Sequence, residues 1–82
     1  MEKRMQTPKD VLDTYYLEVR CMLLETAAFM DRYDAAVVRD GTPAADEGKL
    51  DCLRHALKTL ADPDANDTRT KTLLELYTAV PT

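Results

Sequence analysis

Serine is missing from this chain altogether, histidine occurs once and glycine twice in 82 residues. Each shortage removes a class of function. With no serine and with His55 as the sole imidazole, no Ser-His-Asp constellation can be assembled. The two cysteines, Cys21 and Cys52, have no Cys-x-x-Cys partner, and no Gly-rich loop follows a strand pattern. A cysteine nucleophile would need His55 beside it and an oxyanion hole, neither of which the sequence indicates. Both cysteines sit at apolar helical positions, so both are expected to be small buried hydrophobes in a reducing compartment.

Long apolar runs are also missing. Nothing approaches the roughly 18 uncharged apolar residues of a membrane span. The start, Met1 to Gln6, is polar and mixed in charge, with no apolar segment behind it resembling a signal peptide. It reads as a frayed lead-in, and a cytoplasmic protein is expected. Basic charge is scarce too: net charge is −4 and the sequence pI about 4.8. A broad electrostatic grip on DNA, RNA or anionic membrane needs the opposite sign, so neither nucleic acid nor membrane is an expected partner. Internal repeats, low-complexity tracts and strand-like alternation are absent.

What is present is helix, above all between Thr7 and Gly41. No Pro or Gly interrupts the residues between Pro8 and Gly41. Thr7 is a natural N-cap, Pro8 suits the first helical position, and Asp10 places negative charge in the first turn. Asp40-Gly41 supplies a glycine for the left-handed residue that closes a helix. A helix over residues 8–40 would be roughly 48 Å long. Between Val11 and Val38, 19 of 28 residues are apolar, too many for one buried stripe.

The apolar residues of this helix fall on two stripes. The broader comprises Leu12, Tyr15, Tyr16, Val19, Met22, Leu23, Thr26, Met30, Tyr33 and Val37, at three- and four-residue steps. The narrower comprises Leu17, Cys21, Leu24 and Ala28, with Ala35 further along. Charged residues border both: Asp13, Arg20 and Asp31 on one side, Glu18, Glu25 and Arg32 on the other. The broader stripe is expected to pack on the rest of the chain, with Tyr15 and Tyr33 in that core. The narrower one needs another cover, and a second copy of the chain is the first expectation. A third helix folded back over it, or an unidentified protein partner, are the alternatives.

Thr42-Pro43 repeats the cap-plus-proline pattern, so a second helix is expected over residues 43–61. Leu50, Leu53, Leu57 and Leu60 would form its apolar stripe, with Ala45 and Ala56 beside it. Gly48 would weaken its first turns and let another helix approach closely. Pro63 breaks it, and a third helix is expected over about 67–80, with Leu73, Leu76, Tyr77 and Val80 as its apolar face and Pro81 ending it. The expected fold is a single all-α domain: a long antiparallel helical hairpin with a broken second arm, three helices in all, dimerising into a bundle.

Two clusters carry possible chemistry. Asp62, Asp64 and Asn66 fall at positions one, three and five of a calcium loop. The match then fails, since Asp67 stands where glycine is needed and Leu73 where a bidentate Glu is needed. Capping of the third helix explains these residues better. Glu47, Asp51 and His55 recur at four-residue steps and could hold a metal or serve acid–base chemistry. A solvated helix face is the plainer account. No cofactor, metal or catalytic residue is assigned. The sequence therefore describes a small non-enzymatic interaction or regulatory protein acting through helix surfaces. A metal- or ligand-binding bundle with a site completed by dimerisation is the rival.

Overall fold

The computed structural model describes residues 5–64 and 67–79, and among these it contains three α-helices and no strand. Val80, Pro81 and Asn66, each given a role above, lie outside the described residues, as do Met1 to Arg4 of the lead-in and Ala65 of the turn. The chain divides after Thr42 into two units.

The first unit holds α1, Pro8–Asp40, 33 residues long. Its start is a reciprocal capping box. The Thr7 hydroxyl accepts from the Asp10 amide at 3.1 Å, and the Asp10 carboxylate accepts from the Thr7 amide at 3.0 Å. Its end is Gly41, at φ 76°, whose amide donates to the Val37 carbonyl at 2.8 Å. A side chain rarely tolerates that φ, which is why glycine closes the helix there. No residue of α1 is buried. Thr26, Ala28, Met30, Tyr33, Ala36 and Val37 are half-buried.

The second unit holds α2, Gly48–Ala61, and α3, Arg69–Thr78, which pack against one another. The second helix begins five residues later than the Thr42-Pro43 pattern predicts. Asp46 accounts for the delay: its carboxylate accepts from the Gly48 amide at 2.8 Å, an Asx-type bond that offers the backbone an alternative to helix. Glu47 takes the N-cap position, and its carbonyl accepts the first helical bond from Asp51 at 2.9 Å. Within 4 Å of a side chain built at Gly48 stands the Asp46 carboxyl. The glycine thus leaves room for the Asp46 carboxyl.

Buried side chains in this unit are Leu50 (7 % exposed), Cys52 (7 %) and Ala56 (4 %). The expected leucine stripe is only partly covered: Leu57 is half-buried, whereas Leu53 and Leu60 are exposed. Cys52 and Ala56 lie about a third of a turn round the helix from that stripe. Short side chains disappear under cover that leaves a leucine projecting past it. On α3, Thr72, Leu73 and Leu76 are half-buried, but Tyr77 is exposed.

A single side chain ties the two helices at their junction. Arg69, the first residue of α3, donates from Nε to the Leu60 carbonyl at 3.1 Å and from its terminal nitrogen to the Asp62 carbonyl. These are acceptors at the C-terminal end of α2, where a cation also meets the favourable end of the helix dipole. Arg69→Ala is expected to lower the unfolding free energy by about 1 kcal/mol, below the usual range for charged donors because the side chain is exposed. Urea denaturation followed by circular dichroism would measure it. Arg69→Lys should recover less than half, since an ammonium cannot fork across two carbonyls.

Candidate interaction surface

The first half of α1 is apolar on most of its circumference, and its large apolar side chains are exposed. Val11, Leu12, Tyr15, Tyr16, Leu17, Val19, Met22, Leu23 and Leu24 are all between 42 % and 68 % exposed. Local chemistry holds this segment helical: the capping box begins it, Lys9 pairs with Asp13 one turn on, and no helix breaker intervenes. With roughly 170 Å² for each full side chain, near the low end of the aromatic range, these fractions leave on the order of 800 Å² of apolar side chain in water. A typical monomer's largest apolar patch is about 300–600 Å².

Several expectations are corrected here. The broader stripe was expected to be covered, yet Leu12, Tyr15, Tyr16, Val19, Met22 and Leu23 are exposed. Tyr15 is therefore no core residue, while Tyr33 is half-buried. Cys21 was expected to be buried and is exposed; Cys52 is buried, and both are free thiols. The reason is shared: helical period shows which residues lie on one face, but not whether anything lies against that face. On the narrower stripe Leu17, Cys21 and Leu24 are exposed and Ala28 is half-buried. The sequence reading missed the broader stripe as surface. Its signal was the excess of apolar residues itself, more than one face can use.

A second, polar groove runs along α2, lined by Asp51, Arg54, His55, Lys58, Thr59 and Asp62. Among the described residues no group of three or more His, Cys, Asp or Glu side chains could hold a metal ion. Glu47 stands at the N-cap, before the helix that carries Asp51 and His55.

The acidic turn does helix-end work. Asp62 accepts from the Asp64 amide at 2.9 Å, and Thr68 caps α3 by accepting from the Lys71 amide at 3.3 Å. Asp67 accepts from the Thr68 amide at 2.8 Å and pairs with Lys71 at 3.0 Å. Lys71 first, and then the Thr68 amide, hold the Asp67 carboxyl below the usual carboxylate range. A carboxyl depressed in the folded state stabilises above its unfolded pKa, near 4, and that contribution is lost as pH falls through the folded value. Asp67→Asn should therefore lower stability slightly at neutral pH, by a difference that shrinks as pH falls below about 4. Paired urea titrations at neutral and acidic pH would check this.

No known family model matches the sequence, and neither the curated proteins nor the solved structures include a match. Among the described residues no helix is long and apolar enough to cross a membrane.

Proposed function

We propose that this chain is a small, non-enzymatic, cytoplasmic interaction protein that works through the apolar surface of α1 and pairs with a second copy of itself. The observation that carries this reading is that a 33-residue helix, apolar at 19 of 28 central positions, has no buried residue. Helices take most of their stability from a packed face, so such a surface is built to be covered. Both stripes are available, the narrower through Leu17, Cys21, Leu24 and Ala28 and the broader through Leu12 to Leu23. The hairpin, with α2 and α3 as a broken second arm, belongs to the same proposal, supported by the short connection between Gly41 and Glu47. The reading as a non-enzyme rests on the sequence, which offers one histidine and no serine. The rival, a site completed across a dimer from Glu47, Asp51 and His55, has no observation of its own.

Sedimentation equilibrium from low- to high-micromolar protein tests the reading. A concentration-dependent shift from monomer to dimer is expected. A monomer throughout, with no partner captured by crosslinking in lysate, would overturn it.

A further inference from the structure

The broader stripe has a stricter order than amphipathicity requires. Leu12, Tyr16, Val19, Leu23, Thr26, Met30, Tyr33 and Val37 alternate steps of four and three without a break. That is the seam of a two-stranded coiled coil. Its first half, Leu12 to Leu23, is exposed, whereas Thr26, Met30, Tyr33 and Val37 are half-buried.

We infer that the first half of α1 pairs antiparallel with the same segment of a second copy, with Leu12 opposite the second copy's Leu23 and Tyr16 opposite its Val19. This rests on the pairing proposed above and adds its face, direction and register. Charge chooses among the alternatives. Flanking the seam on one side are Asp13 and Arg20, both one residue past a seam position. In this register each Asp13 meets the second copy's Arg20, twice by symmetry. Sliding one heptad either way sets Arg20 against Arg20 or Asp13 against Asp13. A parallel pair would face Arg20 with Tyr15, leave both Asp13 carboxylates without a cation across the seam, and stack Thr26 on Thr26. Only one sliding further along restores attraction, between Arg20 and Asp34, and it would use the half-buried end of the seam.

The side chains present are ready for this contact. Arg20 makes no ion pair among the described residues. Asp13 gives one oxygen, Oδ2, to Lys9 on its own helix and keeps the other for a partner. On the opposite flank Tyr15 would meet the second copy's Met22, a favourable sulfur–aromatic pairing. The six exposed residues of the broader stripe present about 550 Å² per copy at the side-chain area used above, or about 1,100 Å² for the pair. That clears the threshold for a specific interface but lies at its small end, so a micromolar dimer is expected.

Charge exchange tests the register. Asp13→Arg and Arg20→Asp should each place like charges at both contacts and raise the dimer Kd about 10- to 30-fold. The double variant Asp13→Arg, Arg20→Asp should return to near the wild-type Kd, and an equimolar mixture of the two single variants should form a heterodimer. Helicity by circular dichroism, checked on every variant, separates lost pairing from lost folding. The double variant and the mixture keep the test decisive if one single variant folds poorly. If the wild type dimerises but neither restores pairing, the register is wrong while the dimer stands. If the wild type is monomeric at every concentration, the dimer reading itself has failed.

Discussion

Val19→Asp is expected to leave α1 helical and to dissociate the pair, raising its Kd about a thousandfold. The size follows from symmetry. One substitution in the chain brings two carboxylates to the middle of the seam, each taken out of water against the ring of the second copy's Tyr16 and the apolar side chains beside it. At about 2 kcal/mol for each polar group buried without a partner, the two together approach three factors of ten. The intrahelical cost is small by comparison, a few tenths of a kcal/mol in propensity. Far-UV circular dichroism should therefore change little while the sedimentation profile becomes monomeric. The control is Leu17→Glu, Leu24→Glu on the far side of the helix, expected to leave Kd within about threefold, as surface substitutions do. The reverse pattern, with the control dissociating and Val19→Asp still paired, would move the interface to the narrower stripe.

Where the sequence could be read, the signal was local. Thr7, Pro8, Asp10 and Gly41 each act within a turn of their own position: the structure shows Thr7 as N-cap and Gly41 left-handed, as expected, and adds the return bond from the Thr7 amide to the Asp10 carboxylate, where the sequence suggested only first-turn charge. Pro63 likewise follows the end of α2, whose last residue is Ala61. The start of α2 failed for an instructive reason. Thr42 and Asp46, four residues apart, are both residue types competent to begin a helix, and propensity does not arbitrate between them. The Asp46 carboxylate accepts from the Gly48 amide, and the helix begins at Gly48.

Burial was less legible, because it depends on partners distant in sequence. Leu50 and Leu53 look alike in any periodicity plot, yet one is buried and the other exposed. Cys21 and Cys52 invite the same expectation and separate in the same way. The candidate surface was half legible. Its apolar excess was plain in the sequence, but the stripe assigned to the core proved to be the larger exposed one.

The second large effect is expected at Leu50. It is 7 % exposed, and truncating a buried leucine removes both its transfer free energy and the packing around it. Leu50→Ala should cost about 3 kcal/mol. For a chain of 82 residues total stability is on the order of 4–12 kcal/mol, so this is a large fraction of it. The thermal midpoint should fall by about 15 °C or more. Leu53→Ala and Leu60→Ala give the internal comparison, since at 37 % and 45 % exposed those side chains already stand partly in water. About 1 kcal/mol each is expected there. Ala56, 4 % exposed, should resist enlargement instead: Ala56→Leu forces extra methylenes into a covered site at about 1–3 kcal/mol. The order Leu50 above Leu53 and Leu60, with Ala56 intolerant of size, is what a core centred between the leucine stripe and the Cys52–Ala56 face requires. Equal losses at the three leucines would instead mean that the leucine stripe as a whole is the buried face.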